Sequence, residues 1–281
     1  MKTVRIIPRL DVKGPNLVKG IHLEGLRVLG NPNDFAKYYY ENGADELLYS
    51  DVVASLFERN SLSDVISLTA KKIFIPITVG GGIRTLEDIK NILRSGADKV
   101  SLNTAVIKNP DIIEKASRMF GSSTIVVTIE AIKESDGKYF AYIDNGREMT
   151  GVEVVEWSKK VESLGAGEII ITSVDKEGTG EGFDIDLTRM VSESVSIPVI
   201  AHGGAGTPQD IVDVVKKGKA DAVSLASILH YGIISKQNFV KKSDEGNIEF
   251  LKNNKKFGKI TPYDLNKLKS FLLKNNIMCR H

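Results

Sequence analysis

A single cysteine, Cys279, lies near the C-terminus of the 281-residue chain. That excludes an internal disulfide framework and any cysteine-rich metal site. Histidine is scarce too, with four residues, and no HxH or CxxC spacing supports a metal or suggests a cofactor. Lys and Arg number 38 against 36 Asp and Glu, a formal charge of +2. So small a surplus gives no case for nucleic-acid or membrane binding by bulk electrostatics. No apolar run approaches the roughly 20 residues of a membrane span. Met1-Lys2-Thr3-Val4-Arg5 turns polar too soon for a signal peptide, so the expected location is the cytoplasm. What remains is an ordinary globular composition, 42% apolar and 26% charged, with 25 glycines. The length suits one large domain or two small ones.

The glycines carry the first specific signal. Thr78-Val79-Gly80-Gly81-Gly82-Ile83-Arg84 runs on to Ala97-Asp98-Lys99-Val100-Ser101-Leu102-Asn103-Thr104. Later, Ile200-Ala201-His202-Gly203-Gly204-Ala205-Gly206-Thr207 runs on to Ala220-Asp221-Ala222-Val223-Ser224-Leu225-Ala226-Ser227. Each copy reads as strand, glycine turn, helix, strand and a small or polar tip. Glycine lets backbone approach a ligand and leaves N–H groups free to point at it. A following helix N-terminus adds a field that favours an anion. The pair suggests two phosphate cradles; tight turns between strands and helices are the plainer alternative.

Short β-rich runs alternate with helical patterns along the whole chain. Strands are expected at 4–11, 46–51, 73–79, 99–102, 124–130, 168–173, 198–201 and 222–225. Helices are expected at 33–42, 62–71, 86–95, 110–120, 152–164, 186–193, 208–217 and 262–275. Eight of each, without a domain-scale linker, predict a single (β/α)8 TIM barrel over residues 1–281. A doubly wound open sheet is the alternative, and it leaves the internal repeat unexplained. Gly43-Ala44-Asp45-Glu46 is echoed by Gly165-Ala166-Gly167-Glu168, and Leu10-Asp11-Val12-Lys13 by Ile129-Glu130-Ala131-Ile132-Lys133. Two half-barrel repeats about a pseudo-two-fold axis account for this. Residues 13–31 form a long glycine-bearing connection, read either as a mobile lid or as an ordered surface loop. Residues 238–261 read as a charged, solvated insertion before the last helix.

Active sites of such barrels lie at the C-terminal strand ends. Asp11, Asp51, Glu130 and Asp175 converge there with the tips Gly82, Asn103–Thr104, Gly203–Gly204 and Ala226–Ser227. Asp11 and Glu130, one from each half, are candidates for a general acid and base; each is equally readable as a strand-end residue. Lys19 pairs in this scheme with substrate phosphate or with Asp11. His202 is the one histidine placed for the site. At the other end Arg5, Glu46, Lys99 and Glu168 stand at strand starts with inward parity. Buried charges need partners, so two cations and two anions there predict a balanced ring that acts as a gate.

These motifs resemble the cyclase subunit of imidazole glycerol phosphate synthase over nearly the whole chain apart from 238–261. The carriers are Leu10-Asp11-Val12-Lys13 with Val18-Lys19-Gly20, the two glycine turns, Gly96-Ala97-Asp98-Lys99-Val100-Ser101, and Gly165-Ala166-Gly167-Glu168 with Thr172-Ser173. The resemblance implies the half-repeat barrel and a separate glutaminase subunit docked on the N-terminal face. Ammonia from that subunit passes through the barrel to a bis-phosphorylated ribulosyl substrate. It further implies Arg5, Glu46, Lys99 and Glu168 as the ammonia gate, Asp98 as a glutaminase contact and Asp11 as catalytic. Gly82, Asn103, Thr104, Gly204, Ala226 and Ser227 match its phosphate positions, and Lys19, Asp175, Gly178 and Gly203 complete the expected substrate site.

The departures cluster at the catalytic end. Glu130 stands where Asp is expected, Arg9 where Cys is usual, Pro15-Asn16 where Gly-Arg is usual, His22 where Asn is usual, and Glu177 where Asp precedes Gly178. The added methylene of Glu130 displaces the acid by ~1 Å, enough to cost about a hundredfold in rate. This pattern resembles the branch tied to amidation of surface-polysaccharide (lipopolysaccharide) sugars, acetamido to acetamidino, in which a third sugar-amidating protein takes part. A genuine histidine-pathway cyclase is the alternative, favoured by the survival of both cradles. A non-catalytic scaffold that activates the glutaminase is a further one.

Overall fold

A computed structural model describes residues 3–54, 62–235 and 258–280. Of the expected insertion at 238–261, residues 238–257 lie outside the described residues. The strands in chain order are β1 (Arg5–Lys13), β2 (Asn16–Ile21), β3 (Glu24–Gly30), β4 (Leu47–Asp51), β5 (Ile77–Gly80), β6 (Lys99–Leu102), β7 (Ile125–Lys133), β8 (Tyr139–Ile143), β9 (Glu148–Glu153), β10 (Glu168–Ser173), β11 (Val199–His202) and β12 (Ala222–Leu225). Eight of them pair in parallel around a closed circuit, β1–β4–β5–β6–β7–β10–β11–β12 and back to β1. With helices alternating between them, this is the (β/α)8 barrel.

The helices sit where the amphipathic patterns place them, at Pro32–Glu41, Ser63–Ala70, Leu86–Arg94, Asp111–Phe120, Val154–Ser163, Ile185–Ser194, Pro208–Lys216 and Leu265–Lys274. Their apolar faces and the outward faces of the strands make the large core. A separate apolar layer of Ile7, Leu48, Val126, Ile170, Ile200 and Ala222 fills the barrel axis. The half-repeat survives in detail. Asp88 accepts from the N–H groups of Arg84 and Thr85 at 3.0 and 2.9 Å, and Asp210 from those of Gly206 and Thr207 at 2.9 and 2.7 Å. Each acid thus ties a glycine turn to the start of the helix behind it.

Three features differ from the sequence expectation. The third barrel strand starts at Ile77, not residue 73: Pro76 has no N–H to donate, and Phe74 is 79% exposed. The connection 13–31 is an ordered antiparallel hairpin, with Val12 paired to Leu17 and Val18 to Val28. A second hairpin, β8 and β9, follows β7. Its turn, Asp144-Asn145-Gly146, holds three consecutive positive φ angles of 53°, 62° and 73°, the backbone that an Asn-Gly pair favours.

The C-terminal helix closes the N-terminal end. Lys269 Nζ bonds Asp45 Oδ1 at 2.9 Å with both residues sealed from solvent, and Asp45 Oδ2 accepts from Ile6 N–H at 2.7 Å. Removing the cation strands a buried carboxylate beside the charged strand starts. Lys269→Met is expected to lower unfolding free energy by about 3–5 kcal/mol, and Asp45→Asn in addition to recover much of it, as read by urea denaturation.

Candidate active site

The side chains that point down the axis from β1 are Arg5, Ile7, Arg9 and Asp11, a period-two stack. At its foot is the ring expected from parity. Arg5 bonds Glu46 at 2.6 Å and Glu168 at 2.9 Å, while Lys99 bonds the same two acids at 3.2 Å each. Burial pulls the pKa of Arg5 down, but the charges of Glu46 and Glu168 outweigh it and the net shift is upward. The four groups neutralise one another directly beneath the apolar layer. Asp98 lies outside the ring and is exposed, with Oδ2 accepting from Ile77 N–H at 2.8 Å. Asp45 and Asp221 hold the N–H groups of Ile6 and Val199 in the same way, so this carboxylate has a strand-anchoring task of its own.

Above the apolar layer the interior turns polar. Ser101 and Thr128 share a hydrogen bond at 2.6 Å. A cavity of about 480 Å³ opens there toward the C-terminal strand ends, bounded by Arg9, Gly82, Asn103, Thr104, Glu130 and Asn145. It holds the whole first cradle. The glycine geometry is compulsory: Gly81 has a φ of 98°, and a Cβ there would lie 2.3 Å from the Asp51 carbonyl oxygen.

Glu130 lies in the wall of this cavity beneath the β8–β9 turn. Gly146 N–H donates to its Oε2 at 2.9 Å, and Asn145 bonds the Val52 carbonyl to hold the turn across the barrel mouth. Burial pushes the Glu130 pKa from the usual 4.5 up to about 7, a shift only partly opposed by Gly146, Arg9 and Asn103. Asp11 has the opposite fate. Burial alone raises it, but Arg9 and then Lys19 outweigh burial and hold it below its usual value. Arg9 Nε binds Asp11 Oδ1 at 2.7 Å. Asp11 lines neither this cavity nor the second cradle; Arg9 is the group of that pair presented to the cavity.

The second cradle brings together Lys19, Gly178, Gly203, Gly204, Ala226 and Ser227, but around only about 20 Å³, room for about one water molecule. Lys19 and Glu177 form an ion pair across it. Lys19 is thus joined to Glu177, not to Asp11. Glu177 also accepts from Leu23 N–H at 3.1 Å, and its carbonyl from His22 N–H at 2.9 Å, which fastens the β2–β3 hairpin over the cradle. The helix Ser227–Ile234, unforeseen in the sequence, begins at this point. Asp175 is not brought into either cradle: it is exposed, accepts from Lys133 N–H at 2.9 Å, and borders a separate outer cavity with Tyr139 and Asp184.

His202 is buried beside the second cradle. Its Nδ1 lies 2.9 Å from the Ser224 carbonyl, which only accepts, so Nδ1 carries the proton and Nε2 the lone pair. Burial first, then the charge of Arg9, lowers its pKa to about 4, and the ring is neutral at pH 7. Asn145 and Gly146 are the site residues that sequence reasoning did not place; Arg9 was placed at the catalytic end, but only as a departure from the family pattern and without a role. Arg9 shares the parity of Asp11, and Asp144-Asn145-Gly146 is a hairpin signal; both were available.

The two opposed shifts have a measurable sign. Folding raises the pKa of Glu130, so the folded protein binds the extra proton between pH 4.5 and about 7, and that contribution to stability is lost as pH rises through the window. His202 acts oppositely, losing stability as pH falls from 6.5 toward about 4. Glu130→Gln removes only the first effect. Between pH 5 and pH 8 the wild type is expected to lose about 2–3 kcal/mol relative to this variant in urea unfolding; parallel pH profiles contradict the raised pKa.

A family described as "Histidine biosynthesis protein" matches residues 5–235. The chain is 57% identical over 206 residues to "Imidazole glycerol phosphate synthase subunit HisF" of Legionella pneumophila, covering 73% of this chain and 97% of that protein. It is 47% identical over 268 residues to the protein of the same name in Methanococcus vannielii, covering 88% and 98%. For the one in Methanocaldococcus jannaschii the figures are 48% over 250 residues, 82% and 92%. The closed (β/α)8 barrel is consistent with these likenesses, and the chain belongs to the family of HisF, the cyclase subunit of imidazole glycerol phosphate synthase, and is an enzyme of that cyclase type.

Proposed function

We propose that the chain admits ammonia at the Arg5–Glu46–Lys99–Glu168 ring and adds it to a phosphorylated acceptor in the open cavity, closing an imidazole ring as a histidine-pathway cyclase. The observation that carries this reading is Glu130, a carboxyl in the cavity wall pushed to about 7. A group titrating near neutrality both gives and takes protons at working pH. Attack of ammonia on a carbonyl carbon forms a C–N bond and leaves a hydroxyl that needs a proton to depart as water. Protonated Glu130 supplies that proton, and the carboxylate left behind takes up the one released from nitrogen. The layer of Ile7, Leu48, Val126, Ile170, Ile200 and Ala222 suits neutral ammonia and rejects ions, because an unpaired charge is costly in apolar surroundings. The source of the ammonia is a glutaminase subunit on the N-terminal face, with Asp98 on the docking side, and the complex works in the cytoplasm.

A second reading has its own support. Asp11 is paired to Arg9 and lines neither cavity, and the second cradle is closed by Lys19 and Glu177. Both features suit a top face reshaped for another acceptor, the acetamido group of a surface-polysaccharide sugar converted to acetamidino with the help of a third protein.

Ammonium-driven turnover of the bis-phosphorylated ribulosyl substrate at alkaline pH separates the two, since it needs no glutaminase. The first reading expects turnover by the wild type and a loss of about 10²–10⁴-fold in Glu130→Gln. An inactive wild type, with activity appearing in Glu130→Asp, sinks it and supports the second.

A further inference from the structure

Four adjacent strands carry one inward row of polar side chains. In register across β7, β10, β11 and β12 stand Glu130, Thr172, His202 and Ser224. Two residues earlier on the last three strands are Ile170, Ile200 and Ala222 of the aliphatic layer. By the period of two, Thr172, His202 and Ser224 are the first polar groups above that layer on their side of the axis. On the strands before them, β6 and β7, Ser101 and Thr128 satisfy each other at 2.6 Å. The other three have no such arrangement.

Thr172 Oγ1, His202 Nε2 and Ser224 Oγ are sealed from solvent and have no hydrogen-bond partner among the described residues. Buried polar atoms of this kind cost stability unless something binds them. Their chemistry restricts the guest. His202 Nδ1 is committed to the Ser224 carbonyl, so Nε2 accepts and cannot donate, while each hydroxyl does both. The guest must therefore bring a hydrogen to donate. It must be small, because the gap bounded by His202 and Ser224 is about 20 Å³ while Lys19 and Glu177 close the cradle, room for one water-sized molecule. It must also be neutral. Burial and the charge of Arg9 outweigh Glu177 and Asp11 and keep the His202 ring uncharged; surroundings that disfavour an imidazolium disfavour an ammonium ion too. Ammonia meets all three conditions, with three N–H donors and one lone pair to share among a ring nitrogen and two hydroxyls. Water meets them as well and is its competitor.

We propose that Thr172, His202 and Ser224 form a holding site for neutral ammonia at the upper edge of the aliphatic layer, beside the strand that carries Glu130. The inference rests on the reading of the barrel axis as an ammonia path, and deepens it. Thr172 is in register with Glu130, and neighbouring strands lie about 4.8 Å apart, so ammonia held there stands one strand away from the acid that ring closure uses.

The test is side-chain ¹⁵N NMR of the full chain labelled at its four histidines, with His202 assigned by substituting the other three in turn, during titration with ammonium chloride. At alkaline pH much of the total is NH₃ and at pH 7 nearly all is NH₄⁺, while the His202 ring is neutral at both. The His202 Nε2 resonance is expected to move saturably at alkaline pH. It is expected to stay still at pH 7 at the same total concentration, and at alkaline pH with methylammonium chloride or sodium chloride. Thr172→Val and Ser224→Ala each remove one partner and are expected to raise the half-saturating NH₃ concentration about fivefold. A wild-type resonance that does not respond to NH₃ leaves water as the occupant and overturns the proposal, whether or not the variants fold. A response that follows total ammonium at both pH values overturns it too, as does one unchanged in both variants when folded. Ammonium-driven turnover of the bis-phosphorylated ribulosyl substrate separates this inference from the reading beneath it. Turnover without an NH₃-dependent shift removes only the holding site. A saturable shift without turnover supports the site and leaves the failure with the acceptor.

Discussion

Closure of the parallel sheet, with Arg5 to Pro8 of β1 in register with Ala222 to Leu225 of β12, is the constraint on which the rest depends. A closed barrel has no edges, and every second residue of eight strands faces one narrow axis. Whatever the sequence places at those positions must be packed or paired, because water has little access. The axis is accordingly layered. A compensated ring of two cations and two anions lies at the N-terminal end, a dry aliphatic layer above it, a hydroxyl-lined level at Ser101 and Thr128 next, and titratable groups at the open mouth.

The layers also explain why two acids on symmetry-related strands behave so differently. Asp11 and Glu130 occupy matching places in the two halves. Asp11 has an arginine two residues away on the same strand face, and that cation outweighs the effect of burial. Glu130 has instead a turn folded over it, which removes water and returns one backbone N–H. Burial that is matched by a full charge stabilises the ionised acid; burial that is matched by a dipole does not. The same half-repeat thus holds an ionised carboxylate and one poised near neutrality. The two cradles diverge in parallel: one opens into about 480 Å³, while the Lys19–Glu177 pair reduces the other to about 20 Å³.

Much of this was legible in the chain, and the limits have physical causes. The barrel followed from eight alternating periodicities, and the ring from the parity of Arg5 and Lys99 with the acids Glu46 and Glu168. Period and parity are local properties, readable within a few residues. The hairpin of β8 and β9 passed unread although Asp144-Asn145-Gly146 marks its turn, and the boundary at Ile77 was misplaced because Ile73, Phe74 and Ile75 look like strand residues until Pro76 is weighed. Asp175 seemed bound for the site from its place after a strand, yet it faces an outer cavity.

By itself the sequence determined the architecture and the charges on its axis: the number of barrel strands, half-repeat, glycine turns, and which side chains point inward. Only the tertiary structure decided which of those side chains the ligand space touches. Lys19 and Glu177 meet across 158 residues of sequence, and no local pattern encodes that meeting. Arg9 reaches the cavity while Asp11 does not, because pairing within the barrel, set by desolvation and by the nearest opposite charge, ranks groups that look equivalent along the chain.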